Sequence, residues 1–195
     1  EAFNRKFVDE NSIRLYMVNN PKKLSVKNLS ITAVEISNHP IKDMGKRKID
    51  VDENFYISGE DAQNIKEGEQ IRLLGLGNIL ITKQGEEMEG EYVKDGDIKG
   101  VSKIQWVSQK TAHQIKIIIP KILFIDEKFN EDSLEEMDVY CEPHYLQLKE
   151  GEEIQFIRFG YCRKDSQNQA IFTHKWWNMR IVRVTDGTSE TYGFL

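Results

Sequence analysis

Polar side chains suited to recognition chemistry gather in three separated strings of this 195-residue sequence. The first is Asn38-His39-Pro40 followed by Gly45-Lys46-Arg47-Lys48; the second is Ile71-Arg72-Leu73. The third runs from Gln155 through Phe156, Ile157, Arg158, Phe159 and Gly160 to Tyr161, and Arg14 stands ahead of all three, before Val18 and Pro21. An arginine offers five donors in a planar fork, which suits phosphate oxygens and base edges. A carboxamide such as that of Gln155 carries both a donor and an acceptor. Lys46, Arg47 and Lys48 are three adjacent cations behind Gly45, where positive φ permits a turn, and Pro40 restricts the residue before it. They predict a basic loop that either meets an anion or faces water while ordering the fold.

Other chemistries find little support. The four histidines, at positions 39, 113, 144 and 174, lack the close spacing of metal ligands, and neither Cys141 nor Cys162 is near a second cysteine. No metal site and no catalytic residue is therefore assigned. Gly75-x-Gly77 lacks the third glycine and the following helix of a dinucleotide loop, and no P-loop or Gly-x-Ser-x-Gly string is present. The two cysteines read as buried thiols in a reducing compartment. Trp106 shares a strand face with Ile104, which places it in a core; Phe159 and Tyr161, beside Gly160, are the better stacking candidates.

The elements that must carry these residues are strands. Period-2 alternation marks Leu24–Leu29, Ile79–Thr82, Ile104–Val107, Ile115–Ile119, Tyr140–Leu148 and Glu153–Arg163. Turn signals separate them at Asn19-Asn20-Pro21, Lys66-Glu67-Gly68, Gln84-Gly85, Asp95-Gly96-Asp97, Lys149-Glu150-Gly151 and Asp186-Gly187. Short strands at this spacing predict barrels or sandwiches. Helix is sparse: Ser58 caps a short turn that Gly68 closes. No internal repeat is visible by eye. Charged residues make up 30% and apolar residues 39%, an ordinary globular composition, and no run reaches the ~20 apolar residues of a membrane span. The first residues show no leader-like apolar stretch and read as an internal start.

Net charge is −5, yet residues 1–48 hold ten Lys or Arg against five Asp or Glu. Because salt screens charge beyond ~8 Å, an acidic protein with such a segment can still present a basic face to phosphate.

In their order, the three strings and Arg14 resemble the C-terminal anticodon-binding region of the class I glutamyl- and glutaminyl-tRNA synthetases. Further matches fall at Ile104-Gln105-Trp106-Val107-Ser108 and at Arg163 with Asp165, so the resemblance spans about residues 1–174. It implies an all-β fold of two barrels related to the ribosomal protein L25 fold, with little helix. The expected organisation is a connector over 1–14, a first barrel over 15–115, a second over 116–176, and a tail of unassigned role over 177–195. Strands that cross between barrels would move these limits.

The resemblance also implies roles. Arg14 and Gln155 would read the middle uridine of the anticodon, whose two carbonyls flank an N3–H donor, and Arg72 would meet the first anticodon base and nearby backbone. Lys46, Arg47, Lys48 and Arg158 would touch tRNA backbone. Leu74 stands where the glutaminyl enzyme has a second arginine, and no arginine precedes Gly68 to read the third base. The departures favour the archaeal and eukaryotic glutamyl type and hence tRNA(Glu) as partner. Lys23-Leu24-Ser25 resembles part of the class I lysine–serine signature but lies in a strand, and both ATP-handling signatures are missing from the chain. ATP and Mg²⁺ would serve the full-length ligase only; this chain holds no cofactor of its own. A cytoplasmic location, and neither DNA nor membrane as partner, complete the expectation; oligomeric state stays open. The alternatives are the same region of a glutaminyl enzyme, a free-standing L25-like barrel on ribosomal RNA, and a scaffold that binds no RNA.

Overall fold

A computed structural model of the chain describes residues 2–94 and 100–175, with side chains described from Phe7 onward. The expected turn at 95–97, the tail and its alternating Arg180–Val184 stretch lie outside the described residues. Helix α1 (Ala2–Asn11) leads into β1 (Ile13–Leu15), β2 (Met17–Asn19) and β3 (Lys22–Lys27). A hairpin of β4 (Ala33–Ser37) and β5 (Lys46–Asp50) precedes β6 (Asn54–Ile57) and helix α2 (Gly59–Asn64). Strands β7 (Gln70–Leu73), β8 (Gly77–Lys83), β9 (Glu87–Val93), β10 (Ser102–Ile104) and β11 (Trp106–Ser108) follow. The remainder runs through β12 (His113–Pro120), a hairpin of β13 (Phe124–Ile125) and β14 (Lys128–Phe129), and β15 (Leu134–Cys141). A 3-10 turn (Pro143–Gln147) then leads to β16 (Glu153–Phe156), β17 (Gly160–Ser166) and β18 (Gln169–Lys175).

Two barrel-like sheets result, and the protein is all-β apart from its short helices. The first has the order β10-β7-β8-β9-β3-β6-β11 and the second β1-β16-β17-β18-β12-β15-β2. In each, one segment supplies both ends. Residues 13–19 break at Tyr16, and 102–108 break at Gln105; the half before the break pairs in parallel with one sheet edge, and the half after it pairs antiparallel with the other. Such a seam strand satisfies both edges that an open sheet would leave unpaired.

The correspondence continues around both sheets. β3 is parallel to β9 as β12 is to β18, and antiparallel to β6 as β12 is to β15. A small hairpin interrupts each barrel at the same point, and a short helical turn follows at the same point. The barrels therefore share one topology, a repeat that the sequence does not display.

The seam of the second barrel comes from the N-terminal end, which divides the chain otherwise than 15–115 and 116–176. Residues 15–19 pair in the second sheet, and Ile115 lies in that sheet's strand β12. Two further expectations are corrected. Pro143 ends the strand begun upstream, so 140–148 is the end of β15 followed by a 3-10 turn. The expected strand 153–163 is a hairpin, turned where Arg158 takes φ 64°. Elsewhere the alternation is obeyed: β3, β7 and β12 point Leu24, Val26, Ile71, Leu73, Ile115 and Ile117 into the two cores. Ser58 caps α2 by accepting from the Asp61 amide at 3.2 Å.

Candidate nucleic-acid interface

Parallel pairing of β1 with β16 sets Arg14 beside Gln155. Across the next two strands the row continues with Tyr161 on β17 and His174 on β18. Leu15, Ile154, Phe156 and Cys162 turn inward and fill the barrel, so the row faces out. Gln155 is nevertheless only 1% exposed, because α1 lies over this part of the sheet. Asp9, in the last turn of α1, fixes the roof: its Oδ1 accepts from Arg14 Nη2 at 3.0 Å and from the Tyr161 hydroxyl. His39 holds the same turn. Its Nδ1 accepts from the Ile41 and Lys42 amides, which assigns the proton to Nε2, and Nε2 donates to the Asp9 carbonyl at 3.1 Å.

Under that roof, several polar atoms find no partner among the described residues. Both amide atoms of Gln155, Nε of Arg14 and Nδ1 of His174 are buried and make no hydrogen bond to any described residue. Buried polar groups are nearly always paired, and an unpaired one costs ~1–3 kcal/mol. Here such atoms lie together on the outer face of the second sheet, beneath α1. Tyr161 therefore serves as a tie to Asp9, not as an open stacking face, and it is 1% exposed. Asp9 and His174 were not among the residues expected from the sequence. His174 is visible there only through its place in an alternating strand, and Asp9 only through the fold.

Arg72 lies on the other barrel, with Lys103 beside it across β10, and its Nη1 donates to Asn78 Oδ1 at 2.8 Å. Arg14 and Gln155 are thus brought together, while Arg72 forms a separate centre.

One expected backbone contact is corrected. Residues 46–48 form strand β5, not a loop, so Arg47 points inward with Ile49. Its side chain is fully buried: Nε and Nη2 donate to the Glu142 carboxylate, and Nη1 donates to the Ser37 carbonyl at 2.9 Å. Glu142 also accepts from the Tyr16 amide, which braces one barrel against the other. Burial pushes the Tyr16 phenol up to about 12. Arg158 is likewise engaged, gripping both oxygens of Asp61 at 2.8 and 2.9 Å across the barrel junction. Lys46 and Lys48 remain on the outer face, each 3.9 Å from a carboxylate.

Beside Arg158 a cleft of about 480 Å³ opens between the barrels, lined in part by Glu60, Gln105, Phe159 and Phe172. The Gln105 side-chain carbonyl is buried and unpartnered among the described residues, and burial with Asp61 nearby raises the Glu60 carboxyl above its ordinary range. Trp106 belongs to the first core, donating from Nε1 to the Leu74 carbonyl at 2.8 Å.

Two family models match, one over residues 12–100 and one over 103–165, and both describe the anticodon-binding domain of class I tRNA synthetases for glutamate and glutamine. The chain belongs to that family. Among its relatives, the glutamate–tRNA ligase of Nitrosopumilus maritimus is 73% identical over 175 residues, or 90% of this chain and 31% of that protein. The glutamate–tRNA ligase of Cenarchaeum symbiosum is 47% identical over 174 residues, 89% of this chain and 31% of that protein. A probable cytoplasmic glutamate–tRNA ligase of Encephalitozoon cuniculi is 28% identical over 180 residues, 83% of this chain and 28% of that protein. The chain thus spans about a third of the length of these relatives. The boundary between the two family models falls at the first barrel's seam, so the anticodon-binding domain's first model includes β1 and β2, which the fold assigns to the second barrel.

Proposed function

We propose that this chain is the anticodon-binding portion of a cytoplasmic glutamate–tRNA ligase, and that Arg14 and Gln155 read the middle uridine of tRNA(Glu). The observation that carries the reading is the row of buried atoms on β1, β16 and β18 that have no partner among the described residues. Uracil presents two carbonyls and one N–H, and a carboxamide beside a guanidinium offers the complementary donors and acceptor. Cytosine reverses the N3 group and replaces a carbonyl by an amine, so the same fixed pair meets it with a mismatch. The names of the relatives support glutamate as the amino acid. The whole enzyme would use ATP and Mg²⁺ to join glutamate to the tRNA, while this portion supplies binding and specificity.

The test is affinity for tRNA(Glu) transcripts carrying uridine or cytidine at the middle anticodon position. The uridine transcript should bind more tightly, and the preference should depend on Gln155. Exchange of the third anticodon base separates the glutamyl from the glutaminyl assignment: a strong demand for the glutamine-type base would favour the latter.

A further inference from the structure

A side chain that reads a base must touch it, yet Gln155 is 1% exposed. Its cover is the last turn of α1, which lies against β16 and ends two residues before β1 begins. A base and that turn cannot share one space, so the turn must lift before Gln155 is met.

What holds the turn down is local and largely polar. Asp9 Oδ1 accepts from Arg14 Nη2 at 3.0 Å and from the Tyr161 hydroxyl, and the Asp9 carbonyl accepts from His39 Nε2 at 3.1 Å. Glu10 adds an exposed pair with Lys42 at 3.4 Å. Of the described α1 side chains, Val8 is buried, whereas Phe7 is 69% exposed. The helix brings little stability of its own. Its ten residues are too few to persist alone, and Asp9 and Glu10 face the negative end of its dipole. A segment held in this way opens locally at small cost.

The Asp9 carboxylate also stands where a ligand atom would. Arg14 gives it a guanidinium donor, and a carboxylate oxygen is an acceptor like the carbonyl oxygen of uracil. The Asp9 side chain is 42% exposed, so water can receive the carboxylate once it is displaced.

We propose that the last turn of α1 is a latch over the Arg14–Gln155 row, with Asp9 an internal competitor that a middle uridine displaces from Arg14. This latch presupposes the base reading proposed for those two residues. It makes recognition a two-step event: tRNA docks, and the base enters when the turn lifts. Lifting breaks the bonds of Asp9 whatever the base, and a base that does not replace them leaves the latch shut. Affinity for the matched tRNA is lowered by the fraction of chains that stand closed.

The experiment measures binding of the 195-residue chain to tRNA(Glu) transcripts with middle uridine or cytidine. Parent, Asp9→Ala, Asp9→Asn, Glu10→Ala and Gln155→Ala are compared. Asp9→Ala should bind the uridine transcript about tenfold more tightly, because charge-assisted hydrogen bonds no longer oppose opening. The cytidine transcript should change little, so the preference for uridine grows. Asp9→Asn keeps the shape of the side chain and should move in the same sense by less. Glu10→Ala removes an equal charge from the same turn and should shift both transcripts alike, since loss of an acid favours any RNA. A parent that prefers uridine through Gln155, with an Asp9→Ala variant whose preference is unchanged or smaller, overturns the latch and leaves the base reading standing. A parent with no preference for uridine overturns the base reading, and the latch with it.

Discussion

Gln155, in its proposed role, would serve a partner at the expense of its own fold. Its amide is buried and leaves both polar atoms unpaired among the described residues. Replacing it with an apolar side chain of similar size removes that penalty, so Gln155→Leu should unfold no more easily than the parent. Relief of a buried, unpaired polar group should stabilise the variant by ~1 kcal/mol. A denaturant titration checks this; a loss of that size would mean the amide is satisfied in solution. Arg47 behaves in the opposite way. Arg47→Ala strands the buried Glu142 carboxylate, and removing one partner of such a pair costs ~3–5 kcal/mol. The melting temperature should fall steeply, and any loss of RNA binding should track the unfolding. The burial of Arg47 is legible in the sequence: in Lys46-Arg47-Lys48-Ile49, alternation puts Arg47 on the face of Ile49. Three consecutive cations mask that period.

The thiols supply a pH prediction at the same scale. Cys141 and Cys162 are free and buried, and burial pushes both well above the ordinary thiol range. A group whose folded pKa is raised contributes stability that is present below its unfolded pKa and is lost as pH rises. Stability should therefore decline above pH ~8.5, where unfolded thiols begin to ionise. Alkylation of the native protein near pH ~8 should be far slower than in denaturant, because only the thiolate reacts; equal rates would place the thiols at the surface.

At the scale of elements, β3, β8, β12, β16 and β17 were legible, because one apolar face per barrel imposes a period of two, whereas β4, β5, β6, β7, β9 and β18 were not marked. The seams were legible at most in part. Ile104–Val107 reads as one strand across the break at Gln105, whereas β1 and β2, three residues each, are too short to show a period and pair with strands more than a hundred residues away. Their partners are set by barrel closure, which no local pattern encodes. For the same reason the proposed base-reading row was visible only as separate residues: nothing along the chain joins Arg14 to Gln155. Close approach tests the second barrel's hairpin. A Cβ at Gly160 would lie 2.7 Å from both the His174 carbonyl and Phe172. Gly160→Ala should therefore spread β17 from β18 and cost ~1–3 kcal/mol. Because His174 lies in that row, the change should also weaken tRNA binding beyond the loss of folded protein; unaltered binding would remove β18 from the interface.

For the whole molecule, charge along the chain proved a poor guide to charge in space. The surplus of cations in residues 1–48 suggested a basic face, but Lys23, Lys27, Lys42, Lys46 and Lys48 each lie within 4 Å of a carboxylate, and Arg47 is buried. Exposed pairs of this kind contribute little stability, yet they reduce the field that phosphate would meet. The proposed interface is the short Arg14–Gln155 row near the barrel junction, not a basic surface. The measurement that tests this most directly compares Gln155→Ala with the parent on tRNA(Glu) transcripts bearing middle uridine or cytidine. Losing a good base-edge contact costs roughly 1–3 kcal/mol. The variant should therefore bind the uridine transcript about five- to 150-fold less tightly while its affinity for the cytidine transcript hardly changes, and taking the ratio cancels any general effect on folding. A variant that keeps the parent's full preference for uridine would show that Gln155 does not read the base.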